Sequence, residues 1–228
     1  MEKRESRIYT YRYEIFFFSL LLVLFGSLFF PFGIYSNFME PIIFLLNVLA
    51  GVQLMANHRR LFIICQGIFF LVLATSILER IFPETLGGDI SSKIKLAIYF
   101  FFYSMVTVQL ILQVWYAKEV NSRAMMALMG GYICLGLVGF FIFTTIEFFQ
   151  PGSIGGVESS ERLADDMMYF SYITLLTVGY GDFSPISPIA QRASIFLGLL
   201  GQFYLVIIMA VVLEKFTSNR KRKESKDI

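Results

Sequence analysis

The sequence is organised around Thr177-Val178-Gly179-Tyr180-Gly181-Asp182, a glycine-containing hexapeptide that lies between two long apolar runs. The run before it covers residues 124–149 and the run after it covers residues 189–213. A membrane-spanning helix needs about 20 mostly apolar residues, so both runs are long enough to cross a bilayer. Residues 163–188, which contain the hexapeptide, are more polar. We therefore expect this segment to enter the membrane without crossing it.

The composition of the whole chain agrees with a membrane location. Of 228 residues, 57% are apolar in the broad sense and only 16% are charged, whereas soluble domains have about 25% charged residues. The same values exclude a disordered chain, which is poor in apolar residues and rich in charge. A net charge of +2 gives no reason to expect a nucleic-acid partner.

Four further apolar runs precede the fifth, at residues 15–32, 41–56, 61–78 and 96–117. The second and third are short, and residues 57–60 between them are predicted to form a tight turn. The first run is too long for a signal peptide and lacks a small-residue cleavage site, so we interpret it as a permanent helix. The predicted fold class is therefore an all-α polytopic membrane protein with six transmembrane helices, a re-entrant helix and a loop. Cys65 and Cys134 lie inside apolar runs and are predicted to be buried free thiols.

The basic residues predict the orientation. If six helices cross, fourteen of the 19 Lys and Arg residues fall on the side of the two termini, and cytoplasmic loops carry this excess. We therefore expect a multi-pass protein of the plasma membrane, or of the inner membrane of a bacterium, with both termini in the cytoplasm.

The hexapeptide resembles the selectivity filter of the potassium-channel pore family, for which a TVGYG loop is typical. The resemblance covers residues 124–216 in the family's order of outer helix, turret, pore helix, filter and inner helix. The chain resembles, more specifically, a six-span, tetrameric, prokaryotic version of the voltage-gated architecture. This resemblance implies a homotetramer that conducts potassium ions and needs no other cofactor. The filter residues it implies are Thr177, Val178, Gly179, Tyr180 and Gly181, with potassium held at the first four.

The residue types support a filter independently. A ring of backbone carbonyls can replace the water around an ion without adding fixed charge. For successive backbone carbonyls to point to the same side of the chain, some residues need backbone angles that glycine adopts easily. Gly179 and Gly181 can supply them. Thr177 adds a hydroxyl oxygen at one end. Since the chain has one such segment, several copies must surround a pore.

The resemblance also implies residues that support the filter. Residues 165–176 are predicted to form the pore helix, with two acidic residues at its positive end. Asp182 is expected to anchor one end of the filter by hydrogen bonding. Aromatic rings are expected to surround the filter. The supporting set is Tyr169, Phe170, Thr174 and Asp182. Ile173 stands where some bacterial channels have a glutamate that bonds to the filter, so that interaction is not expected here.

The rest of the chain divides into residues 1–123, a four-helix membrane domain, and residues 217–228, a basic tail. The fourth apolar run has no Arg or Lys, so we expect weak coupling to voltage. The tail is too short for a ligand-binding domain, and its basic run at 220–223 is expected to meet anionic lipid.

Several alternatives stay open. Gly198 and Gly201 in the sixth run are candidates for a gating hinge, with close helix packing an equal alternative. The small residues of the fifth run and the amides of the first four are expected to serve packing and interhelical bonding. The sequence contains no metal-ligand spacing and no nucleophile paired with a base, so no pattern in it indicates an enzyme. The rival functions are a subunit of a larger potassium uptake system and a non-conducting membrane sensor or structural partner.

Overall fold

A computed structural model describes residues 11–29, 35, 39–57, 59–81, 89–116, 122–157 and 162–224. The described part is almost entirely helical. Its helices are α1 (Arg12–Phe25), α2 (Glu40–Leu54), α3 (Arg59–Ile81), α4 (Asp89–Trp115), α5 (Ser122–Phe149), α6 (Leu163–Leu175) and α7 (Pro188–Glu224). Short 3₁₀ turns at Gly26–Leu28 and Met55–Asn57 extend α1 and α2. Two-residue strands, β1 (Ile154–Gly155) and β2 (Ser184–Pro185), pair antiparallel on either side of α6.

Four of the helices are long and apolar enough to cross a membrane: Arg59–Ile77, Ile94–Trp115, Ala124–Phe149 and Pro188–Ile208. This confirms an all-α polytopic membrane protein. Helices α1 and α2 have 14 and 15 residues, fewer than the roughly 20 that a straight span needs. The six-span count therefore remains a prediction for these two, and part of the first predicted span lies outside the described residues.

The structure bears on two local predictions. The third apolar run lies in a helix that is longer than the run, because α3 has 23 residues, and its spanning part has 19. The predicted turn at 57–60 is wrong in part, since Arg59 and Arg60 already form the first turn of α3. Both side chains are exposed. Residue 58, which precedes them, lies outside the described residues.

Helix α5 is the centre of the molecule. It packs against α1, α4, α6 and α7, whereas α3 packs mainly on α2 and α4. Accordingly, 72% of the spanning part of α5 is buried and only 11% of that of α3. The core contains Phe16 and Leu20 of α1, Phe102 of α4 and Phe143 of α5. Cys65 and Cys134 are buried and free, as predicted.

Polar side chains inside the helical domain find partners on neighbouring helices. Asn47 of α2 donates to the Oγ of Ser19 (2.8 Å) and accepts from the hydroxyl of Tyr103 (2.7 Å). Gln113 of α4 accepts from the Tyr13 hydroxyl (2.7 Å) and donates to the carbonyl of Leu54 (3.1 Å). Polar groups need such partners where water is absent. These bonds confirm that Asn47 and Gln113 are satisfied by neighbouring helices.

Helix α7 is longer than the predicted sixth span. It runs without a break from Pro188 to Glu224, so the basic run at 220–223 belongs to the end of this helix. Residues 225–228 of the predicted tail lie outside the described residues.

Candidate functional site

The hexapeptide follows directly from the C-terminal end of α6. This helix has 13 residues and carries Asp165 and Asp166 in its first turn, where the positive end of the helix dipole favours carboxylates. It begins at Leu163, two residues before the predicted start, and ends at Leu175. The helix packs on α5 and α7.

The backbone turns sharply where α6 ends. The carbonyl of Ile173 accepts from the N–H of Val178 (2.9 Å) and of Gly179 (3.3 Å), and the carbonyl of Thr174 accepts from the N–H of Thr177 (3.1 Å). The last turn of α6 therefore fixes the first three residues of the hexapeptide. Thr174, a predicted support residue, contributes through its carbonyl.

Alternate residues of the hexapeptide have left-handed backbone angles. The φ angle is 57° at Thr177, 56° at Gly179 and 87° at Gly181. Glycine adopts such angles at little cost, which the sequence indicates for Gly179 and Gly181. Thr177 was not predicted to do so, and a non-glycine residue held there costs of order 1–3 kcal/mol. Such strained residues cluster at functional sites, where the surrounding structure holds them.

The side chains of the hexapeptide point away from the core of the single chain. Val178 is 44% exposed and Tyr180 is 75% exposed, and Leu176 just before them is 52% exposed. Apolar groups of this size are rarely left in contact with water when they lie together. The hexapeptide therefore offers a surface that further protein can cover.

A side-chain hydrogen bond ties the two ends of the segment together. The hydroxyl of Tyr169 on α6 donates to the Oδ2 of Asp182 (2.7 Å), and its ring packs edge-on against Phe183. This bond raises the pKa of the Tyr169 phenol above its ordinary value. Phe170 is buried against Phe143 of α5 with ring centres 4.6 Å apart, and it also lines the cavity next to the hexapeptide. The structure brings Tyr169 to Asp182 and places Phe170 against α5.

A cavity of about 300 Å³ lies behind the hexapeptide. Ile173 and Thr174 of α6, Gly179 of the hexapeptide and Ser194 of α7 contribute to its walls. The predicted absence of a carboxylate at position 173 leaves this side of the segment largely apolar.

Hydrogen bonds around Glu147, which the sequence analysis did not predict, hold the turn next to the Asp182 end of the hexapeptide. Glu147, near the end of α5, is buried and accepts from the N–H of Gly152 (2.6 Å) and of Ile154 (3.0 Å). Between these two residues, the carbonyl of Ser153 accepts from the N–H of Ile186 (2.8 Å) and of Ser187 (3.1 Å).

The strands β1 and β2 continue this connection. Ile154 pairs with Pro185 and Gly155 pairs with Ser184, only two residues after Asp182. Gly156, with φ of 97°, lies directly against the carbonyl of Asp182, where a side chain would not fit. An acidic residue near the end of an apolar run, followed by Pro151-Gly152, is a signal for a capped turn that sequence reasoning could have used.

The two candidate hinge glycines differ in their surroundings. A Cβ on Gly201 would lie 2.7 Å from the Cδ1 and 3.1 Å from the carbonyl oxygen of Leu175, so this glycine allows α7 to approach the end of α6. A Cβ on Gly198 would have nothing within 4 Å. Because α7 is continuous through both, packing is the observed role of Gly201, and a hinge at either residue remains a prediction.

In the part of the chain that the structure describes, no group of three or more His, Cys, Asp or Glu side chains could hold a metal ion. The oxygen atoms of the hexapeptide come from its backbone carbonyls and from the side chains of Thr177, Tyr180 and Asp182.

Comparison with known proteins identifies the region around the hexapeptide. Residues 137–218 match a family model described as Ion channel. The match covers the C-terminal part of α5 from residue 137, all of α6 and the hexapeptide, and most of α7. Searches of curated proteins and of solved structures each find no match.

Proposed function

We propose, from the match of residues 137–218 to a family model described as Ion channel, that the chain forms a potassium-selective channel. Passive ion transport by a membrane-embedded multi-pass protein follows from that family and from the four spanning helices. The choice of potassium is our inference. The observation that carries it is the TVGYGD sequence with left-handed backbone angles at Thr177, Gly179 and Gly181.

The chemistry of the proposed filter is an exchange of ligands. A potassium ion leaves its hydration shell and is coordinated by backbone carbonyls of Thr177, Val178, Gly179 and Tyr180, with the Thr177 hydroxyl at one end. The alternating backbone angles support this arrangement because they allow successive carbonyls to face the same side. Transit requires binding at several sites that is strong enough to admit the ion and weak enough to release it.

Helix α6 assists without touching the ion. Its C-terminal end lies beside Thr177, so the negative end of its dipole is near the ion path. Its other end carries Asp165 and Asp166.

The complete pore requires four copies. One chain supplies one filter strand, and a ring of carbonyls needs several. The exposed side chains of Val178 and Tyr180 support neighbours that cover them. We therefore expect a homotetramer, which native mass spectrometry in mild detergent measures directly.

Orientation and gating extend the proposal. The distribution of basic residues supports cytoplasmic termini in a plasma membrane, and the basic run near the end of α7 supports contact with anionic lipid. The absence of Arg and Lys from residues 96–117 supports opening that depends weakly on voltage.

The experiment that tests the proposal is potassium flux through the purified protein in liposomes, compared with the variant Gly179→Ala. We expect flux that prefers potassium over sodium in the native chain and its loss in the variant, because a Cβ opposes the left-handed angle. Gly67→Ala is the matched control, since Gly67 lies in α3 and a Cβ there meets nothing within 4 Å. Selective current in Gly179→Ala would refute the filter assignment. No flux from a folded tetramer would favour a non-conducting role, and flux only with a second protein would favour an uptake-system subunit.

A further inference from the structure

Two adjacent hydroxyls on α6 bond to the backbone of α5. The Tyr172 hydroxyl donates to the carbonyl of Ile133 (2.7 Å), and the Ser171 hydroxyl donates to the carbonyl of Gly136 (2.6 Å). Residues 133 and 136 are three apart and so lie on one face of α5. Both bonds cross from the pore helix to the most buried helix of the protein.

Two glycines of α5 make room for these side chains. The Tyr172 ring lies directly on Gly136, and the Ser171 hydroxyl lies directly against Gly139. A Cβ at either glycine would overlap them. We call Ser171 and Tyr172 with these glycines and the Ile133 carbonyl the pore-helix seat. The seat fixes α6 against sliding along α5 and against rotating about its own axis, because its hydrogen bonds and its ring contact act in different directions.

The seat is adjacent to the groups that hold the filter. Tyr172 is followed immediately by Ile173, whose carbonyl accepts from Val178 and Gly179, and the carbonyl of Tyr172 itself accepts from the N–H of Leu176 (2.9 Å). A shift of α6 in its seat is therefore passed to the first residues of the filter through backbone hydrogen bonds, with no flexible side chain between.

From this arrangement we propose that Tyr172 is a positioning residue for ion selectivity: seated on Gly136 and bonded to Ile133, it sets the height at which the filter carbonyls stand. The inference rests on the proposed function, since it concerns the same filter. Tyr172 does not touch the ion. It acts through α6, and the coordinating carbonyls keep their spacing only while α6 stays in place.

The test is the potassium-to-sodium permeability ratio of Tyr172→Phe in reconstituted tetramers. The ring stays on Gly136 and only the hydroxyl is lost, while the carbonyl of Ile133 keeps its bond within the helix. We expect the ratio to fall roughly 2- to 10-fold, the equilibrium factor of one hydrogen bond, with tetramer yield unchanged. Tyr13→Phe is the matched control, because it removes a 2.7 Å bond to Gln113 between α1 and α4 and should leave the ratio unchanged.

A double-mutant cycle provides the second measurement. Gly136→Ala should lower the ratio more than Tyr172→Phe, because a methyl group displaces the ring. Combined with Tyr172→Ala, which removes the ring, Gly136→Ala should add little. Where Gly136→Ala does not assemble, Ser171→Ala replaces it as the second variant and is expected to lower the ratio by a similar factor to Tyr172→Phe.

The outcomes separate the two proposals. A native channel without preference for potassium overturns the proposed function and this inference with it. A selective native channel whose ratio is unchanged in Tyr172→Phe and Ser171→Ala overturns the seat alone. An equal fall in Tyr13→Phe also overturns it, because the effect would then belong to any hydroxyl that bonds between helices.

Discussion

Replacing Glu147 by Gln tests whether the turn after α5 holds the Asp182 end of the proposed filter. The buried carboxylate accepts from the N–H groups of Gly152 and Ile154 at 2.6 and 3.0 Å, one on each oxygen. Glutamine has the same shape but only one acceptor oxygen, so one of the two N–H groups would face an amide that can only donate. A buried donor without a partner costs about 1–3 kcal/mol.

This cost affects the strand pair because Ser153, whose carbonyl binds Ile186 and Ser187, lies between the two N–H groups. A local free-energy change of about 1–3 kcal/mol shifts the opening of this turn by roughly 5- to 150-fold. For a chain of this length it corresponds to a fall in melting temperature of roughly 2–12 °C. We expect Glu147→Gln to conduct, and to lose current faster than the native channel during sustained opening.

The assay combines thermal unfolding of the purified protein with the rate of current decay at low and high external potassium. High potassium should slow the decay, because ions bound in the proposed filter would stabilise its conducting form. Thr145→Val is the control, since the Thr145 hydroxyl bonds only within α5, to the carbonyl of Phe141 (2.6 Å). Unchanged melting temperature and unchanged decay in Glu147→Gln would refute the reasoning.

Three further predictions concern pH, packing and voltage. Burial, with a smaller contribution from Asp165, raises the pKa of Glu40 from 4.5 to about 7, so this residue's contribution to stability should be full below pH 4.5 and be lost as the pH rises to about 7. The difference is ~3 kcal/mol and is measured as native minus Glu40→Gln in unfolding experiments; identical pH profiles would contradict it. Gly201→Ala should lower tetramer stability by about 1–3 kcal/mol through overpacking against α6, whereas Gly198→Ala, which has open space, should not; equal effects in thermal unfolding would show that the packing argument is wrong. Open probability should change only modestly over 100 mV, because no Arg or Lys in residues 96–117 can move through the field, and a gating charge of several units in voltage-step recordings would disprove this.

The parts of the structure that the sequence predicts are those with a local cause. Apolar length predicts the four long helices, and the absence of a Cβ predicts left-handed angles at Gly179 and Gly181. The same reasoning fails at Thr177, because its φ of 57° is imposed by hydrogen bonds from the end of α6. Side-chain chemistry alone gives no sign of that constraint.

Contacts between distant residues are the part that could not be predicted. Glu147 is a partial exception: the acid before Pro151-Gly152 indicates a capped turn, but the sequence does not show that Gly152 and Ile154 both donate to it. The glycines at 136 and 139 were expected to serve packing, and they do, but the sequence does not tell which side chains they receive. That Tyr172 and Ser171 fill these positions depends on the register of α6 on α5, which only the folded chain defines.

The measurement that tests the central claim most directly is the reversal potential of the reconstituted native protein with potassium on one side of the bilayer and sodium on the other. The account predicts a reversal potential far from zero, with the sign set by potassium permeability, and no current in Gly179→Ala. A reversal potential near zero in the native protein, with the same current in Gly179→Ala, would contradict it.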